Sequence, residues 1–261
     1  MTKPHISQSQ VNKYLKCGLQ YKYHYIDKVK KPSNGYMLRG SAIDYSANVH
    51  FQSYIDSDYK NRTEDTPYID DQPINKSDFV DRAVNYHDEN SEDVEFDIPK
   101  NKSRDAVSEL SAVYYEGFGT MEPSSVQLKL EQKYDEDLDF IGYADMWFPD
   151  KSLVLDNKVW MRDKRANPDL TKDIQMVKYA EILGAKQVGL SVVTYVNRVP
   201  KVKLIIQDIT QKHIEVVKRR IDKAVEGIRK EVYTPPDHSV WWCSEKWCQH
   251  WDECDFGGVY T

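Results

Sequence analysis

The stretch IGYADMWFPDKSLVLDNKV, Ile141 to Val159, decides how this chain is read. Pro149-Asp150-Lys151-Ser152 breaks both helix and strand, so the segment reads as two strands joined by a tight turn. With the turn centred between Asp150 and Lys151, residues whose numbers share one sum face each other, and Asp145 falls opposite Asp156. Side chains alternate along a strand, so Lys158 shares the face of Asp156, and Tyr143 and Trp147 share that of Asp145. Like charges opposed across a pair of strands, with Cβ atoms about 5 Å apart, destabilise a sheet. Two readings are open at this point. Either a cation sits between the carboxylates with a lysine beside it, or the hairpin carries two unrelated surface aspartates.

The flanking sequence is α/β in pattern. VQLKLEQKY, from Val126, alternates apolar and polar and reads as a strand with Gln127, Lys129 and Glu131 on its polar face. After the hairpin, Asn167-Pro168 breaks the chain, Thr171 is the expected cap, and a helix runs through Ile174, Val177, Lys178 and Leu183 to Gly184. Gln175 and Tyr179, four apart, share one face of it. QVGLSVVTYV and KVKLIIQDI flank Asn197-Arg198-Val199-Pro200 and suggest a second hairpin. Thr210 opens a long helix with Ile214, Val217, Ile221, Ala224 and Ile228 inward, which Pro235-Pro236 ends.

Upstream the pattern is mainly helical. Ser7 and Gln10 have the spacing of a capping box. The helix they open leads into LKCGLQYKYHYID, where tyrosines beside lysines suit either contact with a nucleic-acid strand or packing on a core. Further helices are expected from about Gly40, carrying Asp44 and His50, and after caps at Ser77 and Ser103. Asp56 to Asp78 reads as a long polar loop.

With 261 residues, 30% charged and 12% aromatic, the composition is that of a globular protein with ample material for a core. No apolar run approaches the roughly 20 residues of a membrane span, and MTKPHISQSQ lacks an apolar signal segment, so a cytoplasmic location is expected. A net charge of −6 argues against a protein that coats nucleic acid broadly, though not against a local basic groove. Cys17 stands alone near the start, while Cys243, Cys248 and Cys254 cluster near the end. Four thiols so arranged suit a zinc or iron–sulfur centre; buried structural cysteines are the alternative.

The order of these features resembles the RecB-like branch of the PD-(D/E)XK nucleases, in particular the iron–sulfur CRISPR-associated exonucleases and their phage relatives. The residues that carry the resemblance are ISQSQVNKYLKCGLQYKYHYI, Gly40 to Asp44, Gly142-Tyr143-Ala144-Asp145, Asp156-Asn157-Lys158, Gln175 with Tyr179, and Cys243, Cys248 and Cys254. The resemblance implies a restriction-endonuclease-like α/β core, with a mixed central sheet flanked by helices. It also implies an N-terminal helical region tied to the C-terminal tail by a cysteine-ligated cluster. The expected segments are 1–120 helical, 121–232 nuclease core and 233–261 cysteine-rich tail, together forming one compact unit.

By the same resemblance the function is metal-dependent exonuclease cleavage of DNA, on single strands or ends, in recombination or DNA processing, with recombination or CRISPR-type proteins as partners. Asp145 and Asp156 would hold Mg²⁺ or Mn²⁺, with Asp44, Glu131 and the Asn157 carbonyl as further ligands. Lys158 would orient water or stabilise developing charge, and Gln175 and Tyr179 would position the phosphate. Cys17, Cys243, Cys248 and Cys254 would hold a 4Fe-4S cluster, with Zn²⁺ as the alternative. Closing a loop of more than 200 residues, such a centre would stabilise the fold by several kcal/mol, on the scale of a long-loop disulfide. Trp241, Trp242, Trp247 and Trp251 would shield it or stack on bases.

Two departures stand out. Asp44 replaces the family's histidine, although a carboxylate suits a hard cation at least as well. The first gap in the cysteine triplet is four residues where two is usual. Competing functions are a non-catalytic iron–sulfur DNA-binding or adaptor protein on the same fold, and a redox sensor.

Overall fold

The computed structural model describes residues 4–58, 74–161, 168–237 and 239–257. In chain order its elements are β1 (His5–Ile6), α1 (Gln8–Lys16), α2 (Gly18–Tyr21), a π-helical turn at Lys22–Ile26, β2 (Ser33–Asn34), α3 (Gly35–Asp58), α4 (Lys76–Glu89), β3 (Val94–Glu95), α5 (Lys100–Phe118), β4 (Ser125–Lys133), β5 (Asp139–Phe148), β6 (Leu153–Trp160), α6 (Ile174–Leu183), β7 (Gln187–Val196), β8 (Val199–Asp208) and α7 (Gln211–Arg229). Contacts group them into two units. One comprises Met1–Lys31, Glu131–Gly142 and Gln211–Thr261; the other comprises Pro32–Leu130 and Tyr143–Thr210. Each unit draws on stretches far apart in sequence, so this grouping cuts across the consecutive segments 1–120, 121–232 and 233–261.

In the first unit, Ser7 and Gln10 form the expected reciprocal cap: the Gln10 N–H donates to Ser7 Oγ at 3.4 Å and the Ser7 N–H to Gln10 Oε1 at 2.7 Å. The helix they start, α1, packs on α7, whose Val217, Ile221, Ala224 and Val225 are buried at helical spacing. Cys17 is extended and caps α2 with its sulfur. Gly18 follows because the chain passes close to Thr234, where an added Cβ would lie 2.7 Å from the Thr234 nitrogen. The tyrosines of this region pack: Tyr21 and Tyr23 are buried, and Tyr21 stacks on Tyr233 at 6.1 Å.

The second unit is built on a mixed sheet in the order β5-β6-β7-β8, with β4 also pairing β5. Strands β5 and β6 form the hairpin read from the sequence, turning through Pro149–Lys151 with Ser152 left-handed at φ 51°. Strand β7 runs parallel to β6 after the crossover through α6. It returns as β8 through Asn197 and Arg198, at φ 53° and 63°, the pair of positive values that a two-residue type I′ loop requires. Helices α3, α4 and α5 pack together and share a core with the sheet. Ile43, Phe51, Phe79, Leu110 and Phe118 meet Met146, Phe148, Leu153, Leu155 and Val193 there. Helix α6 packs on β6 and β7.

Several boundaries differ from the sequence reading. The α3 helix begins five residues before Gly40, with the Asn34 side chain accepting from the Met37 N–H at 3.0 Å. Asn75, not Ser77, caps α4, and Asp173, not Thr171, caps α6; each of these side chains accepts an orphan N–H of the first turn. Ser103 lies inside α5, buried, where the Arg39 guanidinium donates to it at 3.0 Å. Asn167 and most of the polar stretch before Asp78 lie outside the described residues. Among the described residues no helix is long and apolar enough to cross a membrane.

Candidate active site

Met146 faces Leu155, Trp147 faces Val154 and Phe148 faces Leu153. These pairs have the number sum expected of the hairpin, and the register continued by one residue sets Asp145 against Asp156. Both carboxylates line one open cleft of about 480 Å³ together with Asp44, Asn157 and Lys158, all within the second unit. Three elements supply them. The antiparallel strands bring Asp145, Asp156 and Lys158, and α3 brings Asp44.

Asp156 is 2% exposed, so each of its oxygens needs a partner inside the protein. The Lys158 ammonium pairs with Oδ2, and the Gln175 amide on α6 donates to Oδ1. Asp145 accepts from the Asn157 backbone N–H at 2.7 Å and from the Gln127 amide at 3.1 Å. Asp44 accepts from the Asn157 amide at 3.1 Å and from Asn48, one turn along α3, also at 3.1 Å.

Three carboxylates thus line a cleft with one lysine. Burial first, then the charges of Asp156 and Asp44, push the Asp145 carboxyl well above the usual carboxylate range. Burial also raises Asp156, against the pull of Lys158. Burial works against the Lys158 ammonium, but the neighbouring Asp156 and Asp145 outweigh it and hold its pKa above the ordinary lysine value. Burial pushes the Tyr179 phenol up to about 12, so it stays protonated at neutral pH.

Not every residue singled out from the sequence lines this cleft. Glu131 belongs to the first unit and is exposed; Gln127, two alternations earlier on β4, reaches Asp145 instead. Its φ of 44° marks an irregular strand backbone, which a strict alternation from sequence does not anticipate. Gln175 and Tyr179 do share a face of α6, but their polar groups are engaged within the protein. Gln175 holds Asp156, and the Tyr179 hydroxyl accepts from the Tyr143 N–H at 3.2 Å. Two residues that the sequence reading passed over, Tyr114 and Ser191, donate to the Asn157 carboxamide oxygen at 2.7 and 2.6 Å. Ser191 carried a readable signal, a lone hydroxyl in the apolar run of β7; Tyr114 carried none beyond its helical spacing. Lys158 also lines a second cleft, of about 440 Å³, with Trp160, Lys172 and Asp173.

Among the described residues, no three His, Cys, Asp or Glu side chains are gathered closely enough to hold a metal ion by themselves. The cleft nonetheless fits a hard divalent cation. Its donors are carboxylate oxygens in excess over cations, and Mg²⁺ needs only one or two carboxylates when water and phosphate complete its shell.

Cys17, Cys243, Cys248 and Cys254 line one small cavity of about 10 Å³ in the first unit, with Trp242, His250 and Trp251. The Gln20 amide donates to Cys248 Sγ at 3.3 Å and the Gln20 N–H to Cys17 Sγ at 3.4 Å. Burial raises the Cys17 and Cys243 thiols, which therefore favour the neutral form. Thiols are the soft donors that Zn²⁺ and iron–sulfur centres take, although these four line the cavity without being gathered into a metal-holding group. The tryptophans divide: Trp242 and Trp251 line this cavity, whereas Trp241 and Trp247 are 64% and 53% exposed and meet edge to face at 5.4 Å.

Comparison with known proteins bears on this geometry. No curated protein matches the chain. Among solved structures, a proposed exonuclease from Eubacterium rectale is similar at a TM-score of 0.54 and 12% identity, covering 92% of this chain and 86% of its own. A phage-related exonuclease from Haemophilus somnus 129PT is similar at a TM-score of 0.34 and 12% identity, covering 78% of this chain and 98% of its own. Only the first is near enough in shape to bear on the fold, which it shares. The sequence profile of the PD-(D/E)XK nuclease superfamily matches residues 5–255. The chain therefore belongs to the PD-(D/E)XK nuclease superfamily.

Proposed function

We propose that this nuclease hydrolyses DNA phosphodiester bonds in a Mg²⁺- or Mn²⁺-dependent reaction, as an exonuclease acting on single strands or DNA ends in recombination or DNA processing. The observation that carries the reading is the cleft itself, where Asp44, Asp145 and Asp156 converge beside Lys158. Asp145 and Asp156 would hold the ion, with Asp44 and the Asn157 carbonyl as further donors. A bound divalent ion there would activate water and polarise a phosphoryl oxygen. Lys158 keeps its charge and is half exposed to the cleft, so it can meet the negative charge that grows on the phosphoryl oxygens. Gln175 acts through Asp156, holding one carboxylate oxygen so that the other faces Lys158.

The exonuclease form is tested with end-labelled linear and closed circular single strands in Mn²⁺. Release of nucleotides from the linear strand alone is expected; cleavage of the circle at a similar rate would make the protein an endonuclease.

At the cysteines we propose a 4Fe-4S cluster, with Zn²⁺ as the alternative occupant. That all four thiols line one cavity, with Gln20 donating to two of them, supports it. Anaerobically purified protein should be brown, with broad absorbance near roughly 400 nm that Cys17→Ser and Cys248→Ser each abolish. A colourless protein with one zinc would overturn the iron assignment.

A further inference from the structure

Asn157 lies between Asp156 and Lys158, yet strand alternation turns its side chain the other way. There the carboxamide is fully used. Its oxygen accepts from the Tyr114 hydroxyl at 2.7 Å and the Ser191 hydroxyl at 2.6 Å, which fills both lone pairs. Its NH₂ donates to Asp44 Oδ1 at 3.1 Å. Turning the amide over would set its oxygen against a carboxylate oxygen of Asp44, although the two hydroxyls could accept from its NH₂. The contact with Asp44 therefore fixes the orientation, with the oxygen towards the two hydroxyls. Tyr114 and Ser191 are buried, so water does not stand in for either bond. Ser191 is also the cross-strand partner of Asn157 in the parallel pair of β6 and β7, and Tyr114 comes from α5. One side chain thus links α5, β6 and β7 to a carboxylate on α3. The other oxygen of Asp44 is taken by the Asn48 amide at 3.1 Å and faces Gln127 at 3.5 Å, so the group is gripped on both sides.

We propose that Asn157 is the positioning residue for Asp44: the Tyr114 and Ser191 hydroxyls fix its carboxamide, and the carboxamide fixes the Asp44 carboxylate in the cleft as a ligand for a divalent cation. This rests on the nuclease reading of the cleft. It gives Asn157 two separate tasks, its backbone N–H holding Asp145 and its side chain holding Asp44. It also makes Tyr114, which does not need to touch metal or DNA, a determinant of metal affinity.

The test is a double-mutant cycle read by Mn²⁺ binding to the DNA-free protein, with free Mn²⁺ measured by electron paramagnetic resonance. Asn157→Ala cuts the link outright but also opens a buried site. Tyr114→Phe, which keeps the ring and removes one hydroxyl, is therefore the deciding variant. Tyr114→Phe should weaken Mn²⁺ binding about three- to tenfold, the scale of one lost hydrogen bond. In an Asp44→Asn background the same change should have no effect on binding. Ser191→Ala should behave likewise. No loss from Tyr114→Phe, or an equal loss in both backgrounds, overturns the proposal. If the wild type binds no Mn²⁺, or Asp156→Asn binds it as the wild type does, the nuclease reading of the cleft fails and the proposal falls with it. If those two controls behave and the cycle shows no coupling, the positioning role alone fails.

Discussion

Asp145→Asn removes one of three carboxylates that line the cleft with a single lysine, and its effect on stability should change sign with metal. Two unit charges about 5 Å apart, the usual spacing of a cross-strand pair, repel by roughly 3 kcal/mol at an effective dielectric of about 20. Lys158 offsets part of this through its ion pair with Asp156. The metal-free variant should therefore be more stable than wild type by on the order of 1–3 kcal/mol, or roughly 2–10 °C in melting temperature for a chain of this size. Asparagine keeps an oxygen to accept from the Asn157 N–H, and its NH₂ is accommodated once the Gln127 amide turns over to accept from it. The pH dependence follows from the raised carboxyl of Asp145. The folded protein holds that proton more tightly than the unfolded chain, so the penalty is present at neutral pH and relieved as pH falls through the raised value. The advantage of the variant should shrink accordingly in acid. With Mn²⁺ at about a thousand times its dissociation constant the order should reverse, because wild type gains about 4.1 kcal/mol by binding and the variant does not. Thermal melts of both proteins in chelator and in Mn²⁺ measure all of this. A variant less stable than wild type in chelator, or one that responds to Mn²⁺ as wild type does, would refute the reasoning.

Gln175→Leu removes the amide that holds Asp156 Oδ1 and should slow cleavage by on the order of tenfold at an unchanged near-ultraviolet spectrum. Unchanged cleavage would show that Asp156 needs no such support. Gly184 ends α6 at φ 66°, where a side chain is strained, so Gly184→Ala should cost about 1 kcal/mol in urea unfolding. Because Gly184 lies outside the cleft, the cleavage rate of the folded variant should not change.

Much of the site was legible because it lies in a local structure with a rigid count. Once the turn is placed between Asp150 and Lys151, the period of two dictates that Asp145, Asp156 and Lys158 converge, and the pairs from Met146–Leu155 to Phe148–Leu153 have the register that count requires. The capping box at Ser7 and the long helix after Thr210 were legible for the same reason, since both are set by neighbours within one turn. What escaped the sequence depends on contacts between distant segments. The division into two units assembled from separate stretches has no local signature. Nor does the contact of Gln127 with Asp145, at a point where the β4 backbone has a positive φ. The side chain of Asn157 was invisible because its partners, Tyr114, Ser191 and Asp44, lie 43, 34 and 113 residues away. Asp44 itself stood out only through the resemblance, as a carboxylate in place of a histidine. The structure supplies the amide donors that hold it.

The central claim is that the carboxylates and lysine of this hairpin cleave DNA with a divalent ion. It is tested most directly by following end-labelled single-stranded DNA with wild type, Asp156→Ala and Lys158→Ala, each folded by circular dichroism, in Mg²⁺, Mn²⁺ and chelator. Wild type should degrade the strand only with metal, and both variants should leave it intact. Cleavage at the wild-type rate by either variant, or by wild type in chelator, would contradict the account.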